Sequence, residues 1–287
     1  MKKILGLILI LFSSFLFAQE DENYYSVYVD ENVMDFIFHS RPMVEINYGY
    51  GIPKNKKVVG EFGNIGNWDL RLGMSEQKNF KGALIDLSER FTFGSYLAST
   101  AQNFQDNTGK IGTEIYRFGI GTRDGYGIGG SFFAIVPYVS QSFVWTKLAG
   151  YDSTGLSLND RTVLNDYLGT FRFGDKSSFG LKAELFSRFQ VNAYYETSVV
   201  YRRHLFWYWS GSFLVSQIGY NALSYFADQL VDNSPVLGGI FNFLLKAGYL
   251  YGYYLVRQEN MNWPFNMDGN EAPLTFETVN VGFSFLF

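Results

Sequence analysis

The 287-residue sequence contains no cysteine. That excludes disulfides, thiolate metal sites, a catalytic thiol and an acylated N-terminal cysteine. Only 2 histidines are present, too few for a multi-histidine metal centre, and neither a metal nor a cofactor is expected. Charge is scarce: Asp, Glu, Lys and Arg make up 17% of the chain, against about 25% in soluble domains. The 30 glycines and 6 prolines follow no Gly-X-Y period, which excludes collagen. A net charge of −4 without a basic stripe argues against nucleic acid as a partner. Mean hydropathy is −0.04, and beyond the first segment no uninterrupted apolar run reaches the length of a spanning helix, so a polytopic helical membrane protein is excluded. Rings are abundant instead, with Phe 29, Tyr 21 and Trp 5 giving 19% aromatic residues.

Met1-Lys2-Lys3 forms a short positive region, Ile4 to Phe17 is almost wholly apolar, and Ala18-Gln19 precedes the acids Glu20, Asp21 and Glu22. This is the layout of a secretory signal peptide over 1–18, cleaved after Ala18. An anchoring helix would need about 20 apolar residues, more than this run supplies. Without Lys2 and Lys3 the formal charge moves from −4 to −6. Residues 19–41 read as an N-terminal periplasmic segment.

From residue 42 onward the hydrophobic period is two. Val44, Ile46, Tyr48 and Tyr50 alternate with Glu45, Asn47 and Gly49, and Trp68, Leu70, Leu72 and Met74 alternate with Asp69, Arg71 and Gly73. Leu181, Ala183 and Leu185 oppose Lys182, Glu184 and Arg188, while Tyr195, Thr197, Val199 and Tyr201 oppose Tyr194, Glu196, Ser198 and Arg202. A soluble sandwich also alternates, but its outward face should be the charged one. Here one face is ring-bearing and nearly uncharged, and the other mixes paired charges, glycine and small polar groups. That polarity suits an all-β, closed antiparallel transmembrane barrel over 42–287, apolar toward lipid and polar toward the lumen. Glu89 and Glu114 interrupt the outward faces assigned on this basis.

In the final segment Val279, Val281, Phe283, Phe285 and Phe287 alternate with Thr278, Asn280, Gly282 and Ser284, and the chain ends on phenylalanine. This resembles the terminal strand of bacterial outer-membrane β-barrels. The resemblance is sharp over about ten residues, extends to the rest only as a class and identifies no subfamily. It implies location in the cell outer membrane, lipid as the surrounding partner, and recognition of those five apolar residues by the barrel assembly machinery.

Counting segments predicts about ten strands, with eight to twelve open: 42–50, 67–74, 82–98, 112–122, 126–147, 167–174, 178–188, 193–204, 249–258 and 274–287. Arg123-Asp124-Gly125 and Gly174-Asp175-Lys176-Ser177 read as tight turns, and Pro137 as a bulge, an edge or a further turn. Between 193–204 and 249–258 the period lengthens. Leu214, Ile218, Phe226 and Leu230 recur at helical spacing, Ser234-Pro235 suits a restart, and Phe241 and Leu244 continue a second stripe. A helical hairpin over 210–232 and 235–247 is therefore predicted before the penultimate strand, on the periplasmic side. Its apolar face needs a cover: the lumen, the membrane interface (to which Trp207 and Trp209 suit) or a periplasmic partner.

On these registers the lumen holds Glu45, Asp69, Asp86, Glu184 and Glu196 against Arg71, Arg90, Arg117, Lys182, Arg188 and Arg202. So even a balance differs from the single-sign lining of an ion-selective pore and suits a filled, salt-bridged interior. The function expected is a non-enzymatic structural, binding or narrow-pore role, with an open diffusion porin and a lipid-modifying hydrolase as alternatives. A hydrolase would need Ser and His on one outward face, yet His39-Ser40 are neighbours that point oppositely on a strand, and His204 has no suitably spaced serine. No catalytic residue is assigned. Gly119-Ile120-Gly121 approaches a dinucleotide loop but lacks its third glycine in place and its βαβ setting. Asp106-Asn107-Thr108-Gly109 and Met267-Asp268-Gly269-Asn270 read as turns rather than calcium sites. Intact-mass measurement of the exported protein is expected to give a chain beginning at Gln19; a retained Met1 would make the first run an anchor.

Overall fold

The computed structural model describes residues 40–80, 84–130, 132–186, 188–202, 206–261, 263–265 and 272–287. The predicted signal peptide and periplasmic segment, apart from residues 40 and 41, lie outside these residues, as do His39, His204 and the Met267–Asn270 turn.

Eight strands follow the period-two segments: β1 (Arg41–Lys54), β2 (Ile65–Phe80), β3 (Leu84–Ala98), β4 (Thr113–Gly129), β5 (Phe133–Tyr151), β6 (Arg172–Leu185), β7 (Phe189–Val200) and β8 (Leu274–Leu286). Each pairs antiparallel with its sequence neighbour. The ring is closed by β1 against β8, from Met43↔Leu286 to Lys54↔Thr275. Closure leaves no free edge, so every strand finds backbone partners on both sides.

The count is eight and not about ten, for two reasons. Segments 167–174 and 178–188 belong to one strand, β6, because the supposed turn at 174–177 continues the ladder: Gly174 pairs with Val200 and Ser177 with Thr197. Segment 249–258 is helical. A third boundary also moves. Arg123-Asp124-Gly125 lies inside β4, paired with β5 through Arg123↔Ser140, and the reversal comes at 130–132. Pro137 sits within β5 on its outward face, opposite Leu181.

Connections at one end of the barrel are three residues each: 81–83, 130–132 and 186–188. At the other end they are long. They comprise 55–64, 99–112 with one 3₁₀ turn, 152–171 with helix α1 (Leu158–Asn165), and 201–273 with helices α2 (Phe206–Asn233) and α3 (Pro235–Glu259). The helical hairpin therefore precedes the last strand, not the penultimate one, and it is longer than 210–247. Merging two predicted strands into β6 leaves seven strands ahead of the hairpin instead of eight, which inverts its placement: it leaves and re-enters the barrel at the end carrying the long connections.

The long connections are tied together. Ser157 caps α1 through its Oγ, which accepts from Asp160 N, and the Asp160 carboxylate accepts the amides of Val59 at 2.9 Å and Gly60 at 3.3 Å. Ile65, Leu97, Ile111, Ile115, Leu148, Leu164, Tyr167, Val200, Leu274 and Phe276 form a buried apolar cluster at this end. Near the other end Met43, Leu87 and Leu286 are buried inside.

Gly119 of β4 faces the interior, where an added Cβ would stand 2.1 Å from the Phe143 carbonyl oxygen and 2.7 Å from the Phe93 ring. Overpacking a site of this kind costs about 1–3 kcal/mol. Gly119→Val is accordingly expected to reduce the folded fraction read by cold SDS electrophoresis. Gly150→Ala, where nothing lies within 4 Å, should leave it unchanged.

Candidate functional site

Alternation along closed strands sends every second side chain to the barrel axis, and there the structure assembles an ionic cluster. Arg123 of β4 reaches Glu45 of β1 at 2.8 Å and Glu89 of β3 at 2.5 Å. Lys182 of β6 reaches Glu89 at 2.6 Å and Glu45 at 3.6 Å. Arg71 of β2 contacts Asp69 at 2.6 Å, Glu45 at 3.4 Å and Glu196 of β7 at 3.7 Å. Glu196 is joined by Arg117 at 3.0 Å and Lys176 at 3.2 Å, and Lys176 also approaches Asp69 at 3.8 Å. The cluster is one connected body of four carboxylates and five cations. Glu184 lies nearby, accepting from Gln77 and Gln190.

All nine side chains are at most 1% exposed, so no water-sized space runs beside them. Neutral groups complete the layer. Asn47 donates to Glu45 and Asp69, Ser95 to Asp69, and Ser284 to Glu45. Rings serve the cations: the Arg71 guanidinium lies 5.0 Å from the Phe91 centroid, Arg123 lies 4.5 Å from Tyr138, and Lys176 Nζ lies 3.6 Å from Phe93.

Of the eleven residues predicted to line the lumen, Glu45, Asp69, Arg71, Arg117, Lys182, Glu184 and Glu196 face inward. The other four do not. Asp86 and Arg90 are half-buried on the outer face of β3. Arg188 is exposed at the β6–β7 turn, and Arg202, just past β7, pairs with Asp166 at 2.7 Å. Glu89, Arg123 and Lys176 are interior residues that the sequence reading placed elsewhere. On β3 the rule that rings face outward fails because Phe91 and Phe93 pack on interior cations, so the register there is inverted and Glu89 is central. Arg123 and Lys176 stand among residues that also form turns, Asp124-Gly125 and Gly174-Asp175. The signal was available in the unbroken alternations Arg117, Gly119, Gly121, Arg123 and Lys176, Ser178, Gly180, Lys182.

Most of the outer wall is apolar, with Ile46, Trp68, Leu70, Leu72, Phe118, Val279, Val281, Phe283, Phe285 and Phe287 exposed. Several of its polar exceptions lie beside the helices. Asp86 and Asp124 stand in the field of Lys246, which itself lies 3.9 Å from Asp228. Gln141 accepts from Gln217 at 3.2 Å. Nearer the long connections Asp175 pairs with Arg257 at 2.7 Å, and Glu277 accepts from Tyr254 at 3.0 Å and Gln258 at 3.1 Å. Thus α2 and α3 run down and back along the outside of the wall, neither inside the lumen nor beneath it.

At the loop end a groove of about 460 Å³ is lined by Ile52, Lys54, Asn55, Phe62, Asn64 and Lys110, among others. In the neighbouring 106–109 turn the Thr108 hydroxyl and amide both donate to the Asp106 carboxylate and hold it below the usual carboxylate range, and Gly109 takes φ +75°. Among the described residues no metal-binding group of acids and histidines occurs.

A closed eight-stranded barrel, apolar without and ionic within, is the architecture of a small membrane barrel. No protein-family model matches the chain, and no curated protein matches it in sequence. Solved structures do. Neisserial surface protein A is 8% identical at a TM-score of 0.35, with 86% of this chain and 97% of that chain covered. The attachment invasion locus protein of Yersinia pestis is 7% identical at a TM-score of 0.31, covering 87% and 99%. The N-terminal β-barrel domain of OprF from Pseudomonas aeruginosa is 8% identical at a TM-score of 0.26, covering 86% and 99%. At these identities and TM-scores the likeness carries no argument, and strand number and closure rest on this chain's own pairing.

Truncating one partner of a buried ion pair strands the other, at a cost of about 3–5 kcal/mol. Arg123→Met, which leaves Glu45 and Glu89 short of a partner, is expected to destabilise by that amount in urea unfolding from lipid vesicles. The double variant Glu89→Gln/Lys182→Met should cost less than the sum of its two single variants.

Proposed function

We propose that the chain is a non-conducting outer-membrane β-barrel whose work is structural or binding, done at the end where the long connections gather. The observation that carries this is the axial ion cluster, whose members are paired across six strands and closed to water-sized space. A pore lined by one sign of charge would hold its residues apart around a wet axis; here opposite charges meet across it. The buried apolar cluster at the loop end adds a second seal. An open diffusion porin is the reading this geometry disfavours, and both histidines that a hydrolase would draw on lie outside the described residues.

The signal-peptide layout of residues 1–18 in the sequence supports export. In single-chain bacterial barrels the short turns are periplasmic and the long connections extracellular. On that rule the tied loops, the 460 Å³ groove and both roots of the helical hairpin belong at the cell surface. The alternating apolar set from Val279 to Phe287, outward-facing on β8, is the segment proposed to be read by the assembly machinery. A periplasmic partner for the hairpin no longer suits the placement of its ends.

Purified protein reconstituted into planar bilayers is expected to show no stable open-channel steps. Large, reproducible steps would overturn the sealed-barrel reading.

A further inference from the structure

We infer that the α2–α3 hairpin is a membrane-embedded element, its outer face in contact with acyl chains alongside the barrel wall. The inference rests on the membrane reading above and adds an occupant for the apolar surface of the helices.

The polarity of the hairpin is inverted. In water, an amphipathic helix turns its apolar stripe to the protein and its charge to solvent. Here the residues facing away from the barrel are Leu214, Ile218 (68% exposed) and Phe226 on α2, and Leu237, Phe241 and Leu244 (55% exposed) on α3. The residues turned away from this stripe include Ser212, Ser216 and Asn242, which meet the partner helix, and Lys246 and Arg257, all buried. Arg257 meets the wall's own Asp175 at 2.7 Å, and Lys246 lies 3.9 Å from Asp228 of α2. The arrangement repeats that of the barrel, with apolar groups outside and charge against protein. Without the hairpin this wall acid would point into lipid, where a midplane charge is costly.

By hydropathy alone, no helix among the described residues qualifies as a membrane span. Hydropathy averages over the whole circumference, and one side of each helix is polar where it faces the partner helix or the wall. Length is sufficient. The 28 and 25 residues of α2 and α3 extend about 42 and 37 Å at ~1.5 Å per residue, against a hydrocarbon core of about 30 Å. The contacts run the height of the barrel, from Arg257–Asp175 near the long connections to Gly239, which abuts Tyr126 and Leu84 near the short turns. Trp207, at the loop end of α2, is 81% exposed, where an interfacial ring belongs. The two helices pack closely through small residues, as helices in lipid do. Tyr249 lies over Gly219 and donates to the Ser216 carbonyl at 3.0 Å, and Tyr253 donates to that of Ser212 at 2.9 Å. The exposed stripe is continuous in character with the barrel wall, so the same solvent covers both.

The cysteine-free chain permits a direct test. Single cysteines are placed by Ile218→Cys and Leu244→Cys on the hairpin, Leu70→Cys and Val281→Cys on the barrel wall, and Val59→Cys in a long connection. Each full-length variant carries a nitroxide label in phosphatidylcholine–phosphatidylglycerol vesicles, and collision with oxygen is compared with collision with a water-soluble nickel chelate. Ile218 and Leu244 are expected to match Leu70 and Val281, with oxygen-to-nickel ratios several-fold above Val59. Nickel-dominated collision at the hairpin, with the two wall positions still oxygen-dominated, would overturn the inference and leave the barrel reading standing. Low access to both reagents at the hairpin would overturn it in favour of a protein cover. Nickel-dominated collision at Leu70 and Val281 would overturn the membrane reading itself.

Discussion

Hydrocarbon offers a backbone amide no partner, and this one constraint organises the molecule. Each unsatisfied peptide group would cost several kcal/mol in lipid, so the strands must satisfy one another around a closed ring, which β1 and β8 complete. Closure then divides the side chains into two populations by parity. Those on one face meet the solvent of the barrel, which is apolar, and those on the other meet only each other. Charges assigned to the second population have no recourse to water, so they must pair. The ion cluster around Glu45, Arg71 and Arg123 is thus a consequence of closure as much as a stabiliser of it.

Buried ion pairs repay their desolvation only with good geometry and additional hydrogen bonds. The interior supplies both, through the amide of Asn47, the hydroxyls of Ser95 and Ser284, and the faces of Phe91, Phe93 and Tyr138. The same residues set register. A one-residue slip of β3 would carry Glu89 out to the wall and break its contacts with both Arg123 and Lys182. In a barrel whose outward rings are largely interchangeable, the ionic layer is the part that distinguishes one pairing from its neighbours.

Much of this was legible in the residues. Alternation located most strands, and the reversed polarity of their faces pointed to a lipid solvent. The sharpest case was β8, where Thr278, Asn280 and Ser284 are buried and Val279, Val281 and Phe283 exposed. Errors arose where a residue type had two uses. Asp-Gly at 124–125 and Gly-Asp-Lys-Ser at 174–177 are turn formers, yet both sit in mid-strand, because lumen-facing positions also favour glycine, charge and small polar groups. By residue type Phe91 and Phe93 suit a lipid-facing wall, yet a ring against a cation serves the interior equally well. Residues 249–258 alternate well enough to pass for a strand, but they continue the stripe of α3.

What the linear order of residues determined alone was the alphabet of the fold: strands of period two, one helical interruption, an apolar face and an ionic face for each element. It could not say against which neighbour each face lies. Parity of the number of strands ahead of the hairpin decides at which end it emerges, and that number depends on hydrogen bonds between segments far apart in sequence. The polar positions on the outer wall, Asp86, Asp124, Asp175 and Glu277, made sense only once two helices from another part of the chain were seen beside them. Side-chain chemistry is local, whereas the environment that makes a charge tolerable or costly is assembled by the whole ring, and only the assembled ring could distribute the roles.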